Sequence, residues 1–143
     1  WWTAIAPAVL SAEFTVAAVA AFLRRRARTA IKPVLLMQER FPGIGNWMAD
    51  EILWRAAIHP KRPAGSLTPA EIKTLHRETR WVAEHAMKII GAADTAMLPD
   101  PPKTWLFPHR WEDGGTCPKT GAPLSREEIG GRTTCWSPAR QTL

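Results

Sequence analysis

The stretch from Pro42 to Asn46 constrains the chain around it more than any other part of the sequence. Pro42-Gly43 stops a helix, and Gly43-Ile44-Gly45-Asn46 reads as a tight turn whose last residue is a natural helix N-cap. Before the turn, Pro33 suits the first turn of a short helix running to about Glu39. After it, a helix is predicted from Trp47 to about Ala57. Helix, glycine-rich turn and helix in so few residues make a helix-turn-helix unit.

Two further helices flank this unit. Ser11 is the expected cap of an Ala-rich helix over 14–28, with Glu13 in its first turn and Arg24, Arg25, Arg26 and Arg28 at its C-terminal end. Thr68-Pro69-Ala70-Glu71 combines an N-cap, a proline at the first helical position and the reciprocal glutamate of a capping box. The long helix that starts there carries Ile72, Leu75, Val82, Ala86 and Ile89 on one stripe, and Gly91 is its expected stop. Pro99, Pro101 and Pro102 exclude regular structure from the next stretch, so the sequence divides into a helical domain 1–91, a linker 92–104 and a small β subdomain 105–143. Within the last, Trp105 to Trp111 is aromatic and strand-like, and Gly130-Gly131 suits a two-residue hairpin of the primed turn type between Ile129 and Thr133, Thr134 and Trp136. The expected class is mainly α, a helical bundle followed by a small β-hairpin.

Composition narrows the function. Nineteen Lys plus Arg against 13 Asp plus Glu give a net charge of +6, which favours a polyanionic partner, most commonly nucleic acid. A chain of 143 residues buries enough surface to fold without staples, so Cys117 and Cys135 do not read as a disulfide framework. The longest apolar run, eight residues from Val16 to Leu23, is far short of the ~20 that a membrane-spanning helix needs. The chain opens on Trp1 with no signal-peptide pattern and reads as an intracellular fragment of something longer. Its eight tryptophans are assigned to the core, apart from Trp47, which follows the turn and is placed to touch a ligand. His59, His76 and His85 lack metal-site spacing and are read as structural.

Asn46 stands where backbone amides and the positive end of a helix dipole face outward, a place that holds phosphate. Gly43 and Gly45 permit close backbone approach, and Lys32 or the Arg24 to Arg28 cluster can add charge. The alternative is that Asn46 only caps its helix and the arginines only solvate a helix face. These residues taken alone leave both readings open.

The run Phe41-Pro42-Gly43-Ile44-Gly45-Asn46-Trp47-Met48-Ala49-Asp50-Glu51-Ile52-Leu53, followed by Arg55-Ala56-Ala57-Ile58-His59-Pro60, resembles the helix-two-turn-helix signature of the formamidopyrimidine-DNA glycosylase and endonuclease VIII family. Ile129-Gly130-Gly131-Arg132-Thr133-Thr134, with Pro138 and Gln141, resembles that family's β-hairpin finger. The resemblance implies base-excision repair: removal of an oxidised base from double-stranded DNA and strand cleavage at the abasic site. It makes Asn46 with Gly45 the phosphate clamp, Arg132 beside Gly131 the fingertip grip, and Lys32 a lysine near the DNA. Glu51 matches a glutamate after the clamp and is read as structural. The family's nucleophile, an N-terminal proline, and the glutamate after it lie on a preceding domain, so no catalytic residue is expected among these 143.

Bacterial members of the family bind zinc with four cysteines, a pattern that puts Cys117, Thr120, Ser137 and Arg140 at the ligand positions here. With one ligand kept, no metal or other cofactor is expected, although a two-cysteine site completed by His109 is a rival. The Gly-Gly-Arg-Thr-Thr hairpin, with Trp105-Leu106-Phe107 and His109-Arg110, resembles the zincless finger of plant and fungal members. The expectation is a monomeric DNA-binding half of a glycosylase and lyase, and its rival is a noncatalytic DNA-binding or protein-interaction module on the same scaffold.

Overall fold

The computed structural model describes residues 9–91, 103–111 and 113–143, with side chains to residue 86 in the long helix. Trp1, most of the linker and the Ile89 side chain lie outside the described residues. The elements run α1 (Val16–Arg25), α2 (Ile31–Leu35), α3 (Asn46–Ala56), a 3-10 turn (Ala64–Ser66), α4 (Pro69–Gly91), a second 3-10 turn (Phe107–His109), β1 (Ser125–Ile129) and β2 (Arg132–Trp136). The mainly helical class with one antiparallel hairpin is as the sequence predicts.

Local chemistry moves several boundaries. Thr15, not Ser11, caps α1: its backbone is extended and its hydroxyl accepts from the Ala18 amide at 3.1 Å. The preceding residues are spent in a turn, with the Phe14 amide donating to Ser11 O, which points Phe14 into the core. Helix α2 ends at Leu35 and not near Glu39. Gln38 explains the early stop, because its amide donates to Ile44 O at 3.1 Å while its carbonyl oxygen accepts from the Gly43 amide at 2.8 Å. The side chain that would extend α2 instead pins the turn that follows.

The capping box forms as the sequence predicts, with Thr68 N donating to Glu71 at 2.9 Å and Glu71 N to the Thr68 hydroxyl at 3.1 Å. Arg62 adds a two-pronged pair to the same carboxylate at 2.8 and 2.9 Å. The hydrogen bonds from Arg62 hold the Glu71 carboxyl down at about 2. Leu75, Val82 and Ala86 of α4 are buried and Ile72 is half-buried, in a core shared with α1, α2 and α3.

The strand-like reading of Trp105 to Trp111 is overturned: the segment is turn and 3-10 helix. Its backbone is diverted by Glu51, whose carboxylate accepts from the Leu106 amide at 3.1 Å and the Phe107 amide at 2.9 Å. These amides meet a buried side chain instead of a neighbouring strand. The hairpin itself has the predicted turn, with Ile129 opposite Arg132 and φ of +61° at Gly130 and +80° at Gly131, the pair of positive values a type I′ turn requires.

A second, smaller core lies under the finger, made of Trp54, Leu106, Cys117 and Cys135 with Leu124 against it. Helix α3 therefore serves both halves: Met48, Ala49, Ile52 and Leu53 face the helical core, and Trp54 faces the finger.

Candidate nucleic-acid interface

The turn and the hairpin tip, 85 residues apart in sequence, meet at α3. Asn46 is the first residue of α3 and not its cap; Gly45 takes the cap position with extended backbone and no side chain to offer. The first amides of the helix are thus left without a side-chain acceptor. Gly45 is exposed, and a Cβ there would meet nothing within 4 Å, so the space above it is open to an incoming group. The Asn46 side chain turns to the finger instead of back onto its own helix, donating from Nδ2 to Thr133 O at 3.0 Å. Its Oδ1 is buried without a partner among the described residues.

The hairpin approaches from the other side. A Cβ on Gly130 would lie 2.5 Å from Pro33 Cγ, so only glycine lets the tip rest on α2. Gly131 and Arg132 are exposed beyond it, with open space around Gly131. Gly45, Asn46, Gly131 and Arg132, singled out from the sequence, are thereby gathered at one edge.

Lys32 is placed differently. It is fully buried, donating to Asp50 Oδ1 at 2.5 Å and to the Thr134 hydroxyl at 3.0 Å, so it presents no atom to an incoming group. Asp50, also buried, accepts from Arg110 Nε at 3.1 Å and Nη2 at 2.7 Å through Oδ2, which takes the Cys135 amide as well at 3.1 Å. One carboxylate thus joins α2, α3, the segment before the hairpin and β2. Burial holds the Lys32 ammonium below its ordinary range against the pull of Asp50, and the nearby charges of Arg110 and Arg132 push the same way as burial. Two cations on one carboxylate leave an excess of positive charge directly under the hairpin.

Asp50 and Arg110 were not singled out from the sequence as site residues. The available signal was an aspartate on the apolar stripe of α3, where a buried carboxylate needs cationic partners. Glu51 is structural, as predicted. Burial, its largest influence, raises its carboxyl, while Arg55 and the Leu106 and Phe107 amides oppose the rise. The Arg55 guanidinium lies 4.1 Å from the Trp81 ring centroid and 4.8 Å from that of Trp105. Trp47 packs on Phe107 at 4.8 Å, half-buried beside the turn.

The sequence profile of the formamidopyrimidine-DNA glycosylase H2TH domain matches residues 5–96, more than half of the chain. The chain belongs to the formamidopyrimidine-DNA glycosylase family. A formamidopyrimidine-DNA glycosylase of Arabidopsis thaliana is 36% identical over 97% of this chain, and one from Roseiflexus sp. is 38% identical over 92%. The chain spans 34% of the first relative's length and 50% of the second's. Among solved structures, the MutM (Fpg) protein of Thermus thermophilus aligns with a TM-score of 0.77 and 34% identity, covering 93% of this chain and 52% of that one. Lactococcus lactis Fpg in complex with DNA containing an abasic site aligns at 0.76 and 29% identity, covering 93% and 49%.

The four positions that the family resemblance associates with zinc do not fit the metal. Arg140 donates to the Trp54 and Arg55 carbonyls at 2.7 and 2.8 Å, capping the C-terminus of α3 with a cation where a ligand would stand. Cys117 is the one thiol of the set, and it accepts from the Trp54 indole at 3.3 Å. Burial pushes this thiol up, but the polar groups gathered round it, Ser137, Thr120, the Trp54 indole and the Lys119 backbone, outweigh burial and bring it down to about 6. Burial pushes Cys135 up to about 11. His109 is engaged with Lys103 O at 2.8 Å, and among the described residues no group of three or more His, Cys, Asp or Glu could hold a metal. Gln141 completes the finger's attachment, accepting from the Ser137 amide and donating to Ile58 O at 2.9 Å.

Proposed function

We propose that this chain is the DNA-binding part of a bifunctional DNA glycosylase and abasic-site lyase that removes oxidised bases. The observation that carries the reading is the 3.0 Å bond from Asn46 to Thr133 O, which fixes an uncapped helix N-terminus beside an exposed arginine hairpin. Two phosphate-binding elements held at one distance match a repeating phosphate backbone better than a single small anion. In this proposal the first amides of α3, at Gly45 and Asn46, take one phosphate. Arg132, freed from the fold by Gly131, takes another in two-pronged fashion. Lys32 acts from beneath, adding positive field and holding β2 through Thr134. The complexes of Lactococcus lactis Fpg with damaged DNA support the same partner here.

In this proposal the chemistry of base removal lies outside these 143 residues, in the part of the relatives' length that the chain does not span. The proposal divides the present chain into a DNA-binding helical domain 1–91, a linker 92–104 and a finger 105–143. It also makes the protein a monomer that works inside the cell wherever DNA is kept. The 143-residue chain is expected to bind a duplex containing an abasic site, measured by fluorescence anisotropy, and to leave it uncut. Borohydride treatment of the full-length protein on oxidised duplex DNA should trap a covalent adduct. Binding without an adduct would make the protein a noncatalytic DNA-binding module.

A further inference from the structure

The arginines at the end of α1 surround a feature that the clamp does not use. Phe22, Arg25, Arg26, Glu39 and Arg40 line an open concavity of about 270 Å³. Phe22 forms part of its wall, with the Arg25 and Arg26 guanidinium carbons 5.6 and 5.2 Å from the ring centroid. Arg40 lies 5.6 Å from the Phe14 ring, and its Nε is buried with no acceptor among the described residues. Aromatic faces thus orient three guanidinium groups, of which Arg25 and Arg40 have no carboxylate partner among the described residues. Glu39, the one carboxylate in the lining, meets Arg26 at 4.0 Å with both side chains well exposed, a pairing too weak to close the site.

The concavity is tied to the clamp by the chain itself. Glu39 and Arg40 follow Gln38, whose side chain grips Gly43 and Ile44, and Arg40 is six residues before Asn46. Six residues reach at most ~20 Å, a distance that a duplex covers in about six base pairs. We propose that this arginine concavity is a second phosphate-binding surface, which takes the backbone of the same duplex outside the segment held by Asn46 and Arg132. The inference rests on the DNA-binding reading above. It gives the α1 arginines a ligand, against the alternative that they only solvate a helix end. Phosphate contacts of this kind are indifferent to sequence and to the lesion.

The test uses the 143-residue chain and a duplex of about two helical turns (~20 bp), with and without an abasic site. The double variant Arg25→Ala, Arg26→Ala should lose about tenfold in affinity for both duplexes, and its log-affinity against log-salt slope should fall by about two units. The paired substitution Arg25→Lys, Arg26→Lys should keep the wild-type slope, because the charges remain. Melting temperatures should be unchanged throughout. If the double alanine variant keeps both affinity and slope while the wild type binds, the concavity is no phosphate surface and the clamp reading stands. A slope lost equally in the lysine variant would make the arginines structural and overturn the inference. Unchanged duplex binding with lost binding to polyglutamate would assign the surface to an acidic protein partner and overturn it as well. A wild-type chain that binds no duplex would sink the DNA reading and this surface with it.

Discussion

The helical half and the finger are held by different forces, although α3 belongs to both. The helical half has an extended apolar core in which Phe14, Phe41, Ile44 and Leu53 are almost fully buried. The finger has a two-stranded hairpin and a small apolar cluster in which Leu106, Cys117 and Cys135 close on Trp54 of α3, too little for independent stability. It is fixed instead by buried polar groups: Asp50 gripping Arg110 and the Cys135 amide, Lys32 reaching Thr134, and Gln141 spanning Ser137 and Ile58. Hydrophobic burial sets a volume, but hydrogen bonds between charged groups set a direction. A tip proposed to present Arg132 at a fixed place is better held by the second kind.

The largest expected effect comes from breaking that anchorage. Asp50→Ala would leave Lys32 and Arg110 buried without their carboxylate and should cost about 3–5 kcal/mol in urea unfolding. Trp54→Ala empties the finger's small core and should cost a similar ~3–5 kcal/mol. The two should differ in where the loss falls. Hydrogen exchange should show hairpin amides losing protection in the Trp54 variant while α4 retains it. In the Asp50 variant, α2 and the hairpin should loosen together.

A smaller effect tests the helical half alone. Because the folded-state pKa of Glu71 is depressed to about 2, its contribution is present above the ordinary carboxylate value near 4.5 and is lost as pH falls toward 2. In Glu71→Gln, the part of the melting-temperature decline between pH 4.5 and 2 that depends on Glu71 should vanish, while the affinity for DNA at neutral pH stays at the wild-type value. A fall in that affinity would show that the two halves are coupled through more than α3.

The sequence made the helical half legible for physical reasons. The Thr68 capping box, the Gly130-Gly131 turn and the α4 stripe are local patterns, each decided within a few residues. The misreadings arose where distant parts of the chain compete with local preference. Asn46 has every local reason to cap α3, yet its amide serves Thr133, 87 residues away. Trp105 to Trp111 has strand composition, but Glu51 takes its amides. Lys32 reads as a cation near the DNA, because nothing near it in sequence announces Asp50 as its partner. The gathering of Gly45, Asn46, Gly131 and Arg132 came from the family resemblance, since no periodicity joins a turn to a hairpin so far away.

Asn46→Ala lies between the two regions and sharpens the contrast. It removes one hydrogen bond between turn and hairpin and should cost about 1 kcal/mol, yet weaken DNA binding more than that figure suggests, because both phosphate elements lose register. A melting temperature lowered without any change in affinity would reduce Asn46 to a structural tie.

The most direct test removes a charge that the fold does not need. Arg132 is exposed at the start of β2, beyond a turn with open space around Gly131, so Arg132→Ala should leave stability within about 0.5 kcal/mol of wild type. Measured on an abasic-site duplex across a salt series, the slope of log affinity should fall by about one unit, with affinity lost equally for undamaged sequences. An unchanged slope, or a variant that unfolds, would contradict the account: the first would mean that the hairpin tip holds no phosphate, the second that Arg132 is part of the fold.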